Sequence, residues 1–256
     1  MIFNRQIVGD GVSHFGVSRV PTCHGTFYLG NKGQDYFAPL ELFTEEDLIH
    51  HVASGPEANF TPKFVDMVAE TLGSEAKRAT PKDIFQYAYA VFYSQTYRTR
   101  YAELLKIDFP RLPLTASSSL FRSLGRFGSE LIALHLMESP ILDRPITTYV
   151  GPPKPEVEKA SHTRTTVWLD RAQTAGFTGV SLAVWEFQFG GYQVCEKWLK
   201  DRKGRTLTKG DIAHYNKIVV ALSETIRLMK KIDEVIDEHG GWPGAFVTNL
   251  QIASKQ

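Results

Sequence analysis

The sequence predicts an α+β fold, with a helical half of several long helices and a strand-rich half that a long C-terminal amphipathic helix closes. Two observations carry this prediction. Apolar residues recur at three- and four-residue steps in several stretches, and short β-branched runs bounded by Gly and Pro cluster elsewhere. At 256 residues the chain can bury a substantial core. We expect one domain over residues 1–256, with possible sub-lobes at 1–138 (hairpins and helices) and 139–256 (strand-rich, with the C-terminal helix).

The N-terminal part predicts hairpins and then helices. Residues 7–28 are rich in Val, Phe and Gly and are flanked by turn signals, which favours hairpins. Thr61-Pro62 and Thr80-Pro81 each place a capping hydroxyl before a proline suited to the first helical position. A serine cluster at 117–119 precedes a further apolar stretch at helical spacing. The predicted helices of this part are 62–72, 81–106 and 118–138.

The strand-rich half is predicted from β-branched runs at residues 145–150, 163–169 and 180–184. The stiff connector 151–155 (Gly-Pro-Pro-Lys-Pro) is interpreted as separating the two halves. The alternation in 184–189 suggests a half-buried strand that runs into Gly190-Gly191. We expect a strand-to-helix or bent-strand junction there, with at least one glycine at positive φ.

The last predicted helix covers residues 209–238. Thr208 and Asp211 have the spacing of a capping box, with Asp where Glu is usual. Apolar residues then recur on one face from Ile212 to Ile236. This face could dock a partner, but ordinary burial within the chain is favoured.

A basic cluster lies between Lys197 and Lys209. Six cations stand against one anion, Asp201, so the local net charge is +5 (six minus one) in a chain whose formal total is +1. Such a segment with interleaved aromatic residues suits a polyanion, because Lys and Arg neutralise phosphates and release counterions. A solvated turn has the same pattern. The candidate DNA contacts here are Lys197, Lys200, Arg202, Lys203, Arg205 and Lys209, together with Tyr192 and Gln193.

A second basic group lies near the end of predicted helix 81–106. Its cations could contact backbone phosphates, or they could simply complement the negative end of the helix dipole. Arg98 and Lys106 are eight residues apart, so they are expected to share a helical face. The candidates are Arg98, Arg100, Lys106 and Arg111.

Two long blocks of sequence resemble one known family. The run from Gly190 to Arg205 (GGYQVCEKWLKDRKGR), followed by DIAHY and VVALSET, is similar to the C-terminal specificity region of Type ISP restriction–modification enzymes. An earlier block, DIFQYAYAV followed by YRTRYAELLKIDFPR, resembles the segment after the adenine-methyltransferase core in that family. The two blocks lie in the expected order and span residues 83–242.

The resemblance implies a target-recognition domain that binds double-stranded DNA. It also implies that a methyltransferase is supplied elsewhere in the same system, with nuclease and motor parts as further candidate partners. S-adenosylmethionine is then expected only in the associated methyltransferase core, with no cofactor in this chain. Loops within residues 139–189 are expected to read base edges, and the side chains considered for this are Arg164, Arg171, Gln173, Gln188 and Gln193.

The motifs of catalysis are missing from the sequence. It contains neither the GxxxxGK[ST] loop of ATP motors nor the glycine-rich and Asn-Pro-Pro-aromatic loops of the methyltransferase core. His50-His51 and Cys23-His24 lack metal-ligand spacing, so no metal site and no catalytic residue is predicted. Glu75-Ala76-Lys77 and Asp201-Arg202-Lys203 fit the short acid-x-Lys pattern of Mg²⁺-dependent nucleases. Two alternatives therefore stay open: a helical assembly module that docks a partner without DNA contact, and a metal-dependent nuclease fragment.

The composition indicates a cytoplasmic protein. No apolar run approaches the roughly 20 residues needed to span a bilayer. The N-terminus lacks a signal-peptide core. Two cysteines, Cys23 and Cys195, argue against a disulfide framework and favour a reducing compartment.

Overall fold

A computed structural model of the chain describes residues 1–4, 15–21, 35–43, 57–73 and 79–247. The helices in these ranges are α1 (Pro62–Leu72), α2 (Pro81–Tyr93), α3 (Gln95–Arg100), α4 (Ala102–Leu105), α5 (Ser118–His135), α6 (Leu182–Trp185), α7 (Val194–Lys200), α8 (Lys209–Glu238) and α9 (Gly241–Gly244), with a 3₁₀ turn at Pro140–Asp143. The strands are β1 (Ile2–Asn4), β2 (Phe15–Gly16), β3 (Asp35–Phe37), β4 (Glu41–Leu42), β5 (Glu57–Ala58), β6 (Thr148–Val150), β7 (Ser161–Thr163), β8 (Thr166–Trp168), β9 (Gly176–Thr178), β10 (Gln188–Phe189) and β11 (Tyr192–Gln193). The predicted α+β class is confirmed, as is the long C-terminal helix.

The capping signals place the helix starts correctly. Helices α1 and α8 have the predicted bounds. The Thr208 hydroxyl accepts from the Asp211 N–H at 3.1 Å, and the Asp211 carboxylate accepts from the Thr208 N–H at 2.9 Å. Thr80 and Asp83 form a second reciprocal pair at the start of α2. These pairs satisfy N–H groups that the first turn of a helix leaves unbonded.

The prediction of one continuous helix over 81–106 is wrong. Ser94 is extended (φ −60°, ψ 125°), and its hydroxyl accepts from the Tyr97 N–H at 3.0 Å, which ends α2 and starts α3. Tyr101 (φ −105°, ψ 17°) separates α3 from α4. Serine hydroxyls compete for backbone N–H groups, so they favour caps over helix interiors. Helix α5 also ends earlier than predicted, at His135, and Met137 has a φ of 59°.

The strand-rich half contains a four-stranded antiparallel sheet in the order β6-β9-β8-β7. The predicted runs 145–150 and 163–169 contain β6 and β8, but 180–184 is not a strand. There the Ser181 hydroxyl accepts from the Val184 N–H at 3.4 Å and caps α6. The connector 151–155 does not separate the two halves, because β6 precedes it and pairs with β9, which follows it.

The glycine pair forms a hairpin turn. Gln188 pairs with Gln193 and Phe189 with Tyr192, so Gly190-Gly191 is a two-residue loop that leads through β11 directly into α7. Gly190 has a φ of 59°, which confirms the predicted positive φ. The strand predicted over 184–189 is reduced to β10, because residues 182–185 are helical. Of the hairpins predicted over 7–28, only residues 15–21 lie in the described ranges. They include β2, which pairs with β1.

Two hydrophobic clusters meet along α8. The first turns of α8 pack against the four-stranded sheet, α6 and α7 through residues such as Tyr215 and Val219. Its later turns pack against α2, α3 and α5 through residues such as Leu228 and Ile232. Burial of the apolar face of α8 within the chain is therefore confirmed. The division at 138/139 stays a prediction, since α8 contributes to both clusters.

Candidate nucleic-acid interface

The basic segment 197–209 is held in a fixed shape by backbone hydrogen bonds. The Gly204 N–H donates to the Val157 carbonyl at 2.8 Å, and the Val157 N–H donates to the Arg205 carbonyl at 3.1 Å. Leu207 is buried, and its N–H donates to the Pro155 carbonyl at 2.8 Å. Gly204 has a φ of 73°, a conformation that glycine adopts without steric cost. The turn after α7 is therefore tied to residues 155–157 beside the four-stranded sheet.

Three of the six cations in this segment already have partners. Lys197 pairs with Asp201, and the Lys200 ammonium lies 2.9 Å from the Glu196 carboxylate. The Arg202 guanidinium lies 3.6 Å from the centre of the Trp198 ring, and its Nη1 donates to the Trp198 carbonyl at 3.1 Å. Its Nε is also 3.7 Å from Asp211 Oδ1. These contacts give Arg202 a structural role at the junction of α7 and α8.

The other three cations, Lys203, Arg205 and Lys209, are exposed. They form no ion pair with any residue that the structure describes. The charge of Arg205 nevertheless acts on a neighbouring group, the Asp211 carboxyl. Hydrogen bonds from the side chain and backbone of Thr208 lower the pKa of the Asp211 carboxyl, and the charges of Arg202 and Arg205 contribute to the same shift. A cation without a protein partner is available to a phosphate.

Tyr192 and Gln193, the aromatic and amide candidates, lie just before the basic segment in the chain. Tyr192 is half-buried in β11, and the Lys197 ammonium lies 5.5 Å from the centre of its ring. Gln193 occupies the N-cap position of α7 without a capping hydrogen bond from its side chain. Tyr192 thus contacts the first cation of the basic segment, and the role of both residues in DNA contact stays a prediction.

Acidic residues also lie beside the free cations. Lys203 and Gly204 line a shallow depression together with Arg171 and the segment Glu156–Glu158. The carboxylates of Glu156 and Glu158 offset part of the positive charge at this end of the sheet. Sequence reasoning did not find these two residues, because they are distant from the basic segment in the chain.

Arg98 is not part of a DNA-contacting surface, which corrects the sequence-based assignment. Its side chain is 5% exposed, and its Nε donates to the Phe92 carbonyl at 2.7 Å. The guanidinium lies 4.4 Å from the centre of the Tyr93 ring. The break at Ser94 redirects α3, so Arg98 points into the core and does not share a helical face with Lys106.

The rest of the second basic group lies on the surface. Arg100 is exposed, and the Lys106 ammonium is 2.8 Å from the Glu103 carboxylate. The side chain of Arg111 is 90% exposed and lies 3.6 Å from Asp108. Helix α3 contacts α8 near Asp233, which accepts from the Ser94 hydroxyl and the Thr96 N–H. Asp233 follows Lys209 by 24 residues, or about 36 Å along the helix, so the two basic groups are far apart.

Histidine and carboxylate side chains in the described ranges do not assemble a metal centre. No three His, Cys, Asp or Glu residues there form a group that could hold a metal ion. Asp201 of the second acid-x-Lys tripeptide pairs with Lys197. Glu75-Ala76-Lys77, His50-His51 and Cys23-His24 lie outside the described residues. No helix in the described ranges has the length and apolarity needed to cross a membrane.

The sequence and fold were compared with known proteins. The family model of the Type ISP C-terminal specificity domain matches residues 1–231. Among solved structures, the chain is similar to the DrdV–DNA complex determined by cryo-EM (TM-score 0.56, 20% identity, covering 79% of this chain and 21% of that one). It is also similar to the ATP-dependent Type ISP restriction–modification enzyme LlaBIII bound to DNA (TM-score 0.50, 17% identity, covering 71% and 12%). No curated protein matches the chain.

These matches agree with the resemblance carried by the two sequence blocks. The structural likeness is one of fold, and the chain corresponds to only 12–21% of the length of these two larger proteins. The family match covers 231 of the 256 residues, including the basic segment and most of α8. The chain belongs to the family of Type ISP C-terminal specificity domains.

Proposed function

We propose that this specificity domain recognises double-stranded DNA through the basic segment 197–209. It would thereby position a methyltransferase, and a nuclease with its motor, that belong to the same system. The observation that carries the proposal is the set of three exposed cations, Lys203, Arg205 and Lys209, which form no ion pair with a described residue. The turn that precedes α8 is bonded to residues 155–157 beside the sheet. Both similar structures are of proteins in complex with DNA, which supports the choice of DNA as the polyanion.

Phosphate contacts from this segment would orient the domain on the duplex without reading sequence. Because the turn is already ordered by its bonds to residues 155–157, little conformational entropy is lost when it meets the backbone. Each neutralised phosphate releases counterions and adds about 0.9 to the steepness of the salt dependence. Three such contacts would therefore contribute about 2.7 to the slope of log K against log salt.

Chemistry is assigned in this proposal to other parts of the system. The chain lacks the glycine-rich and Asn-Pro-Pro-aromatic loops of an adenine methyltransferase, so S-adenosylmethionine would bind an associated core. The same proposal places the protein in the cytoplasm, where DNA and a reducing environment for its two cysteines coincide.

The test compares two triple variants that remove the same charge. Lys203→Ala/Arg205→Ala/Lys209→Ala should weaken binding to every duplex and reduce the salt slope by about 2.7. The control, Arg122→Ala/Lys230→Ala/Lys231→Ala, removes three surface cations of α5 and of the far part of α8. It should leave the slope close to that of the unaltered chain. Fluorescence anisotropy with labelled duplexes over a series of salt concentrations measures both.

Equal slopes for the two triple variants would contradict the proposed surface. Absence of salt-dependent binding by the unaltered chain would contradict DNA binding itself and favour the assembly-module alternative. That alternative lacks the surface first considered for it, since the apolar face of α8 is buried within the chain.

A further inference from the structure

Hydrogen bonds fix the loop that joins β8 to β9, residues 169–175, at its base and at its tip. The Leu169 N–H donates to the Ala175 carbonyl at 2.9 Å, which closes the loop at its base. The Leu169 carbonyl accepts from the N–H groups of Glu158 and Lys159 at 2.9 and 3.0 Å. On the outer side, the Arg171 N–H donates to Glu158 at 3.3 Å. The loop is thus bonded both to itself and to the neighbouring segment.

Asp170 organises the tip of this loop from within. Its carboxylate accepts from the Thr174 N–H at 2.9 Å, from the Thr174 hydroxyl at 2.6 Å and from the Ala175 N–H at 3.1 Å. The Gln173 N–H donates to it as well. An aspartate that binds successive backbone N–H groups in this way holds a turn in one conformation.

Two long polar side chains lie on the surface of this loop, at Arg171 and Gln173. Arg171 and Gln173 are both exposed, and neither side chain forms a hydrogen bond or ion pair with a described residue. Gln173 has a φ of 56°, a left-handed conformation that glycine and asparagine adopt more readily. A strained position occupied by a bulkier polar residue is a reason to look for a function of its side chain.

The loop lies at the same end of the sheet as the free cations. The register pairs Val150 and Trp168 with Gly176, so loop 169–175 and connector 151–160 leave the sheet at one end. Connector residues 155–157 are the ones bonded to the basic segment. Arg171 and Lys203 line the same shallow depression. A duplex whose phosphates meet Lys203 and Arg205 would therefore present its groove to the tip of this loop.

We propose that Arg171 and Gln173 are specificity-determining residues that read base edges in the major groove. This inference rests on the proposed function. Arginine forms two parallel hydrogen bonds with O6 and N7 of guanine, and glutamine does the same with N6 and N7 of adenine. The target sequence is accordingly expected to include a guanine and an adenine read by this loop. Asp170 would act as a positioning residue, since its carboxylate binds backbone N–H groups and the Thr174 hydroxyl of the loop.

Arg164 provides a matched control within the same sheet. It is exposed and has a φ of 57°, like Gln173, but it lies in the turn between β7 and β8. That turn leaves the sheet at the opposite end, where Thr163 pairs with Thr166. Arg164 thus shares its residue type with Arg171, its backbone conformation with Gln173 and its exposure with both, but it lies at the other end of the sheet from the basic segment.

The experiment selects bound duplexes from a randomised pool with the full 256-residue chain and sequences them. Gln173→Gly should lose the adenine preference, and Arg171→Ala the guanine preference, each by about 5- to 150-fold at one position. Glycine relieves the left-handed strain, so Gln173→Gly is expected to fold. Arg164→Ala should select the same sequence as the unaltered chain. Thermal unfolding followed by circular dichroism verifies that all three variants are folded.

The outcomes separate the two proposals. If folded Arg171→Ala and Gln173→Gly select the unaltered sequence, the inference about this loop is overturned while DNA recognition stands. A change of selected sequence in Arg164→Ala alone would assign base reading to the opposite end of the sheet and also overturn it. If the unaltered chain enriches no sequence at all, the proposed function fails first.

Discussion

At the scale of single residues, burial distinguishes cations that are accessible to DNA from cations that are not, even where the residue type is the same. Arg98 and Arg100 belong to one sequence block and have the same charge, yet Arg98 lies in the core and Arg100 on the surface. Burial lowers the pKa of Arg98, while Tyr93 and Tyr89 act in the opposite direction. The distinction could not be predicted from the sequence, because it depends on the redirection of the chain at Ser94. In the basic segment, likewise, only the structure separates the paired Lys197 and Lys200 from the free cations.

His135 illustrates how such burial appears in a measurement. It lies between the Tyr89 hydroxyl at 2.7 Å and the Thr225 hydroxyl at 2.9 Å. Burial, with a smaller contribution from the charge of Arg98, lowers the pKa of His135 from 6.5 to about 3. Between pH 6.5 and pH 3, His135 is therefore protonated in the unfolded chain and neutral in the folded chain. The stability contributed by neutral His135 is present above pH 6.5 and is lost as the pH falls towards 3.

We expect this single group to lower the free energy of unfolding by about 2 kcal/mol between pH 8 and pH 5. His135→Gln should remove that part of the pH dependence, although it lowers stability at pH 8. The exposed His214 supplies the control variant His214→Gln, which should retain the dependence. Urea unfolding at several pH values measures all three chains. Parallel curves for His135→Gln and the unaltered chain would contradict the assignment.

At the scale of elements, local signals in the sequence predicted where helices begin better than they predicted whether a helix continues unbroken. The Thr208–Asp211 pair caps the first turn of α8, and Pro62 occupies the first turn of α1, so both helices have the predicted bounds. The Thr61 side chain, however, makes no capping hydrogen bond, which corrects the predicted role of its hydroxyl. The break at Ser94 combines a local cap on Tyr97 with a hydrogen bond to Asp233, 139 residues away, and the apolar spacing across it favoured one continuous helix. Strand β9 was missed because its three residues, Gly176–Thr178, are ordered by pairing on both sides and not by propensity. Loop 169–175 lay within the predicted recognition region, but its hydrogen bonding depends on Glu158 and was not foreseeable.

The packing of α5 on α2 rests on one glycine. A Cβ at Gly128 would overlap the carbonyl oxygen of Gln86 in α2, whereas a Cβ at Gly125 would meet no atom within 4 Å. Gly128→Ala should force the two helices apart and destabilise the fold by about 1–3 kcal/mol. Gly125→Ala lies in the same helix and should stabilise it by about 0.5–1 kcal/mol, because alanine has the higher helix propensity. Chemical denaturation of both variants measures the difference, and equal effects would refute the close approach.

At the scale of the whole molecule, α8 joins the two hydrophobic clusters into one folding unit. A helix of 30 residues is about 45 Å long, and buried side chains line it from Tyr215 to Ile236. The sequence predicted this helix and its apolar face, but not that its two ends serve different cores. That division follows from which elements meet each turn of the helix, and this is a property of the tertiary structure.

A shared helix predicts a single unfolding transition. Trp168, Trp185 and Trp198 lie in the strand-rich part, whereas Trp242 packs against the helical cluster. In a Trp242→Phe chain, tryptophan fluorescence therefore reports the strand-rich part, while far-ultraviolet circular dichroism is dominated by the helices. The two signals should change together. Leu228→Ala, which opens a cavity in the helical cluster, should shift both transitions by the same amount, about 2–5 kcal/mol. Two separated transitions would show that the clusters unfold independently.

The construction of loop 169–175 also bears on how such a domain could change its target over evolutionary time. Its shape depends on the Asp170 carboxylate, the Thr174 hydroxyl and backbone groups, and not on the side chains at 171–173. Those three exposed positions can mutate without opening a cavity or breaking a described hydrogen bond, provided that position 173 keeps a residue that tolerates positive φ. Specificity would then be inherited separately from stability. A lineage could acquire a new recognition sequence through a few substitutions in this loop, with no intermediate that fails to fold.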